Sequence, residues 1–319
     1  MTQIGVLLQA ASGETWDMSE LVTNVEFEDN INRAGVVTCE MLNTGLIPTP
    51  AEGNILRLAK DGVDWFVGYV FRVGRTKAAA VSVTAYDQLR YLKTKETYVF
   101  DNLTASDVVR RICADFQLQT GDIQDTRYRL GSRIFDAQEL LDIISECLTD
   151  TLVATRDLYF LKDNAGRVEL KHVSTAVTSL VIDPEHLLYD YKYDRSIDSD
   201  TFNQIKLARD NPDTGSRELY VAKDSSTIRA WGQLQHYEVL DDNVNAAQAK
   251  ARADALLQAK NRVLESMSVE VLGDKSLRAG NMVYVELPVA GVKGYLLCKS
   301  AKHSFTHVVH TASAEFKLV

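Results

Sequence analysis

Three histidines, His303, His307 and His310, fall within eight residues of one another in a chain of 319. Imidazoles at such spacing can share a zinc ion. No cysteine or carboxylate completes the set before Glu315, and the segment reads as strand, turn, strand. The three are therefore expected to be turn and surface histidines, and no metal is assigned. The acidic stretches Asp183 to Glu185, Asp194 to Asp200 and Asp241-Asp242 offer neighbouring carboxylates, the chemistry of glycoside hydrolysis. None carries an acid/base frame, so they read as solvated loop charge. Cys39, Cys113, Cys147 and Cys298 are scattered with no C-x-x-C pair, which points to neither a zinc knuckle nor a disulfide framework and fits a reducing compartment. The patterns G-x-S-x-G, H-E-x-x-H and G-x-x-x-x-G-K-[ST] are absent from the sequence. No catalytic residue, cofactor site or metal ligand is assigned, and a non-enzymatic protein is expected.

The scaffold around these residues is that of an ordinary globular protein, with 45% hydrophobic and 25% charged residues. The length predicts two or three domains, each able to bury its own core. Lysines and arginines number 35 against 44 aspartates and glutamates, a net charge of −9. That balance provides no general basic field for a nucleic-acid backbone. The charge is uneven, at −2 over residues 1–95, −7 over 96–185 and 0 over 186–319. The first residues lack a basic export signal and no 18-residue apolar run occurs, so the chain is expected to fold in the cytoplasm without a membrane.

Residues 1–92 read as short strands at Val22–Glu28, Val36–Leu42, Ile55–Ala59, Phe66–Val73 and Ala80–Tyr86, with a hairpin signal at Lys60-Asp61-Gly62. A helical run follows at Val108, Ile112 and Phe116, opened by Thr104 and Asp107 at capping-box spacing. A second helix is expected from Asp136 as N-cap through Leu148, then strands Leu158–Lys162 and Val168–Val173. From about Leu188 strands return at Tyr189–Tyr193, Gln204–Ala208, Leu219–Lys223 and Leu234–Val239. A helix at about Ala246–Leu264 with Asn243 as cap comes next, then strands Ser268–Leu272, Met282–Leu287, Tyr295–His303 and Ala312–Leu318. On pattern alone that helix packs on its own barrel, with a partner surface as the alternative. Trp65 and Trp231 are open between core and interface. The expected fold class is α+β, mainly β: a first tube-like β-barrel at 1–92, an inserted α+β domain at 93–185, and a second tube-like β-barrel at 186–319 with a helical insertion at about 224–265.

The two β regions echo each other. Gly53-Asn54 entering a strand, then Gly68-Tyr69, then Ala80–Tyr86, is matched by Gly280-Asn281, Gly294-Tyr295 and Thr311–Leu318, with Gly-to-Gly spacings of 15 and 14.

Several stretches resemble the baseplate hub proteins of phage tails, the late control protein D superfamily and most closely its XkdQ/YqbQ-like branch. They are Val83-Thr84-Ala85-Tyr86-Asp87-Gln88-Leu89-Arg90-Tyr91-Leu92 with its continuation Lys95 to Phe100 and Leu103 to Ser106; Asp190 to Asp198; Leu272-Gly273-Asp274 with Leu277-Arg278-Ala279-Gly280-Asn281; and His303 through His310 to Leu318. Asn281 stands where that family's turn usually has Asp. The resemblance implies a homotrimeric structural hub and symmetry adaptor. Two barrels per chain would give a pseudo-sixfold ring that docks on the hexameric tail tube, receives a trimeric spike or tip protein, and lines the exit channel. Other baseplate proteins and the tape measure protein are implied partners, in the virion tail baseplate of a phage, a contractile injection system or a bacteriocin. Two other classes remain open. In one, the 93–185 unit binds or cleaves peptidoglycan, although its −7 charge would repel anionic wall polymers. In the other, a barrel holds a small molecule, which requires an apolar pocket inside it. If the hub reading holds, net charge is expected mainly on the inserted domain rather than on the barrels.

Overall fold

The side chains of Val81, Val83 and Ala85 turn into the interior while Ser82 and Thr84 stay toward solvent. This is the two-residue period of a sheet with one covered face. In the computed structural model, which describes residues 4–42, 49–75, 80–211, 215–240, 244–306 and 309–317, that strand belongs to a first set of seven. These are β1 (Ile4–Gln9), β2 (Thr15–Asp17), β3 (Val22–Asn30), β4 (Val36–Leu42), β5 (Ile55–Lys60), β6 (Val63–Arg75) and β7 (Ala80–Tyr86). Lys60 pairs with Val63 across Asp61 and Gly62, both with positive φ (51° and 78°), the tight hairpin expected there. The core of this set holds Val25, Phe27, Cys39, Leu56, Leu58, Trp65, Phe66 and Val83. Trp65 is thus a core residue.

A 3-10 helix at Gln88–Lys93 leads into an α+β unit of β8 (Lys95–Phe100), α1 (Ala105–Asp115), β9 (Thr120–Ile123), β10 (Arg133–Glu139), α2 (Leu140–Thr155), β11 (Tyr159–Asp163) and β12 (Val168–His172). The predicted capping box is present. Thr104 Oγ1 accepts from the Asp107 amide at 3.1 Å, and the Asp107 carboxylate accepts from the Thr104 amide at 3.2 Å. The buried faces of α1 and α2, including Val108, Ile112, Leu140, Ile144 and Leu148, pack with Leu161, Val168 and Leu170 into one core.

Asp136 is not a helix cap. It lies in β10, where its carboxylate accepts from the Thr97 hydroxyl at 2.9 Å, and the strand runs through a bulge directly into α2. The helix entry is satisfied from elsewhere, since the Leu140 amide donates to the Thr94 carbonyl at 3.0 Å.

The remaining elements are β13 (Val177–Ile182), β14 (Leu188–Ser196), β15 (Gln204–Asn211), β16 (Ser216–Lys223), α3 (Ser225–Trp231), β17 (Gln235–Leu240), α4 (Ala246–Lys260), β18 (Leu264–Leu272), β19 (Met282–Leu287), β20 (Val292–Phe305) and β21 (His310–Lys317). The fold is mainly β with a few helices. Two compact units divide the chain: Met1–Thr151, Asp157–Lys192 and Met267–Val319 form one, Leu152–Arg156 and Tyr193–Ser266 the other.

In the second unit a three-stranded sheet, ordered β16, β15, β17, is covered on one face by α4. Ala249, Ala253 and Leu256 meet Ile205, Leu207 and Ala222 there. The strands read from sequence at 204–208, 219–223 and 234–239 therefore belong to this separate sheet, and α4 packs on it and not on a barrel. Asn245 caps α4, accepting from the Gln248 amide at 3.0 Å; the expected cap, Asn243, lies outside the described residues.

In the larger unit the strands repeat an order. The first set runs β3, β4, β7, β6, β5, β1, with the short β2 added beyond β1, and the second runs β14, β18, β21, β20, β19, β13, so six strands of each follow the same order. Strand β13, inside the span read from sequence as insertion, closes the second set by pairing with β19, parallel where β1 and β5 are antiparallel. One long strand joins the sets: residues Val292–Leu297 of β20 pair with β19, and Ser300–Phe305 pair with β3.

Candidate functional site

The chemistry-bearing residues gather where the two strand sets and the α+β unit meet. Strand parity places His303 inward with Ala301 and Phe305 on β20, and His310 inward with Ala312 and Ala314 on β21. Both imidazoles are buried, so the surface position expected for them is corrected. His307 lies outside the described residues.

Their hydrogen bonds run one way. The Leu277 carbonyl can only accept, so His303 Nε2, 2.8 Å away, donates. A neutral His303 then accepts at Nδ1 from His310 Nε2, at 3.0 Å, and His310 Nδ1 accepts from the Lys60 ammonium at 2.6 Å. Burial, reinforced by neighbouring positive charge, lowers His303 to about 3, and burial with Lys60 lowers His310 to about 4. Both rings are neutral at pH 7. Among the described residues no group of three His, Cys, Asp or Glu side chains is placed to hold a metal ion.

Beside this chain stands Arg278. Its Nε donates to Asp29 at 2.5 Å, its terminal nitrogen reaches the Trp65 carbonyl at 3.2 Å, and its guanidinium lies 4.8 Å from the Phe27 ring centre. The turn that carries Arg278 is pinned at both ends by glycines. A Cβ at Gly273 would come within 2.2 Å of the His310 ring. One at Gly280, where φ is +85°, would come within 2.2 Å of Phe160. The Leu272-to-Asn281 motif is thus the surface on which β11, β21 and β3 converge.

The second family stretch is equally structural. Asp87 accepts from the amides of Gly35 (2.6 Å) and Leu89 (2.9 Å), fixing the β3–β4 turn and the 3-10 helix together. Gln88 accepts from the Gln119 amide (2.9 Å) and donates to the carbonyls of Gln119 (2.9 Å) and Gly166 (2.8 Å), clamping β9 and the β11–β12 turn. Burial, then the Asp163 charge, pushes the Asp87 carboxyl well above its ordinary value. Asn32, with φ of 56°, exchanges two 2.7 Å bonds with the backbone of Leu161. Of the carboxylate runs, Asp183 holds His186, Asp200 holds Lys260, and Asp241-Asp242 lies outside the described residues. All four cysteines are buried, and burial pushes Cys39, Cys113 and Cys147 up to about 12, so their thiols stay protonated.

In the sequence, Asp87, Gln88 and Arg278 stand out only as family letters, and Lys60 and Asn32 do not stand out as site residues at all. For the histidines a signal existed, since each sits in phase with the inward residues of its strand.

These geometries coincide with a family relationship. A family model described as YQBQ-like matches residues 25–317. The chain belongs to the YQBQ-like family. It is 31% identical over 268 residues to the uncharacterized protein YqbQ of Bacillus subtilis (strain 168), covering 83% of this chain and 81% of that one. To the phage-like element PBSX protein XkdQ of the same organism it is 30% identical over 269 residues, with the same coverage. The fold is shared with the 43 kDa tail protein of prophage MuSo2 from Shewanella oneidensis, at a TM-score of 0.68 and 14% identity over 98% of both chains.

Proposed function

We propose that this protein is a structural hub of a phage-tail baseplate, in a phage, a prophage or a phage-tail-like bacteriocin, and that it works by assembly without catalysis. The observation that carries the reading is the doubled strand order, two sets of six strands laid out alike in one chain. Three chains would present six similar sets, which suits docking a hexameric tail tube on one side and a trimeric spike or tip on the other. The family's phage-like relative and the tail-protein fold support the same reading. The polar side chains of the core and its margin agree with it, because Arg278, Asp29, Lys60, His303, His310, Asp87 and Gln88 all serve to hold strands and turns in place. Within the hub, the strand sets beginning at β3 and at β14 would supply the two tube-like β regions, with the α+β unit of about 93–176 between them and residues of about 197–263 as the insertion in the second, since β13 pairs with β19 and β15 to β17 lie with α4 outside the second set.

An image of the assembled tail at a resolution that traces strands tests this. The chain is expected as a ring of three at the junction of tube and tip, lining the channel; location anywhere else rejects the hub.

A further inference from the structure

The smaller unit holds a sheet with one face covered and the other bare. Residues paired directly across β16, β15 and β17 share a face, and the faces alternate along each strand. Ala222 and Ile205, then Tyr220 and Leu207, lie on the side taken by α4. On the other side Val221, Lys206 and Tyr237 form one row across the three strands, and Leu219, Ala208 and Val239 form the next. Leu219, Val221, Tyr237 and Val239 are each about half exposed, at 51%, 54%, 46% and 55%. Polar residues rim them, with Gln204, Lys223 and Gln235 at one end and Arg217 and Asp210 at the other. Strand β16 is thus apolar on both faces through Leu219-Tyr220-Val221-Ala222, and β15 and β17 are parallel, the kind of pair that is ordinarily covered on both sides. An apolar patch rimmed in this way marks a protein contact.

The width and the charge of the bare face define what fits it. Its outer strands lie about 10 Å apart, the breadth of one helix, and its four rows run about 20 Å, the length of a helix of about 13 residues. On the reverse side α4, with 15 residues, is such a helix. The charge is one-sided. Arg217 is paired with Asp210 at 2.7 Å, whereas among the described residues Lys206 and Lys223 have no ion-pair partner. Lys206 stands within the apolar rows, where any covering surface takes its ammonium out of water and must bring a carboxylate to it. A second copy of the same face would bring lysines against lysines, so the face does not suit self-association.

We propose that this face docks an amphipathic helix of another protein of the tail, whose apolar stripe seats among Leu219, Val221, Tyr237 and Val239 and whose carboxylates, one turn apart, pair with Lys206 and Lys223. Those two lysines are one strand and two residues apart, within reach of acids at i and i+4. The inference rests on the tail reading for the source of the helix, and it adds an attachment point that the doubled strand sets do not provide.

Val221→Cys tests it, because the four native thiols are buried and a benzophenone maleimide labels the new one alone. Ala251→Cys, exposed on α4, is the control. In purified tails, light should join the labelled Val221→Cys chain to a different protein at least 10-fold more than the control. Mass spectrometry should map the adduct to a segment with apolar residues every three or four positions and acidic residues one turn apart. Lys206→Glu should cut that adduct at least 10-fold, and lysine in place of the partner's mapped acid should restore it, which an unfolded variant could not do. An adduct no stronger than the control, one to another copy of this chain, one to a segment without that pattern, or one indifferent to Lys206→Glu overturns the proposal and leaves the hub reading standing. So does binding of the isolated chain to phosphatidylglycerol vesicles that Lys206→Glu abolishes, which would make the face a lipid surface. Absence of the chain from purified tails removes the hub reading and the docking with it.

Discussion

At the scale of single residues, the buried carboxylate of Asp29 is held by Arg278. Arg278→Met should cost about 3–5 kcal/mol, because Asp29 is left buried without its partner, and adding Asp29→Leu should recover part of the loss. Denaturant unfolding of the single and double variants measures both steps. The neutral histidines set a pH dependence with a definite sign. The folded-state value of His310, about 4, lies below the unfolded value near 6.5, so the unfolded chain takes up a proton that the folded chain refuses. Stability from this source is complete above pH 6.5 and falls between pH 6.5 and 4, by about 1.4 kcal/mol per pH unit for one group. His310→Gln keeps a donor toward His303 and an acceptor toward Lys60, and should flatten that slope by one proton's worth. Asp87 acts in the opposite sense: its raised carboxyl contributes stability at low pH that is lost as pH rises through its folded value. Asp87→Asn should therefore weaken the decline on the neutral side.

At the scale of elements, the α+β unit is held to the first strand set by backbone clamps. Gln88→Ala would remove three part-buried hydrogen bonds to the backbone of residues 119 and 166, a cost of about 1–3 kcal/mol. Hydrogen exchange should rise first at β9 and in the β11–β12 turn, and uniform acceleration across the chain would contradict the clamp. The capping box at Thr104 and the alternation of β7 were readable from the sequence because each depends on neighbours within a few residues. The entry of α2 was not readable in the same way. Its first amide is satisfied by Thr94, which lies 46 positions earlier in the chain, and the local pattern around Asp136 gave a plausible but unused cap.

At the scale of the molecule, the second strand set carries a detour where the first has a short turn. Strands β3 and β4 are joined by residues 31–35, whereas their counterparts β14 and β18 are separated by the unit that contains β15 to β17 and α4. Replacing residues 197–263 with a five-residue turn copied from 31–35 is expected to leave the larger unit folded. Near-ultraviolet circular dichroism and a cooperative thermal transition would check this; loss of both would show that the larger unit depends on the smaller.

The sequence alone determined which faces are buried, where hairpins turn, that the β regions repeat and which family the motifs resemble, because alternation, positive-φ turns and caps are written in adjacent side chains. The tertiary structure decided which strand lies beside which. Ladder hydrogen bonds join backbone groups common to every residue, so nothing in the side chains of β20 announces that its second half will meet β3, some 275 positions away in the sequence. It also decided that His303 and His310 are core and not surface, since their neighbours Lys60 and Trp65 arrive from the β5–β6 hairpin and Leu277 from the turn before β19 only once the two strand sets have closed on each other.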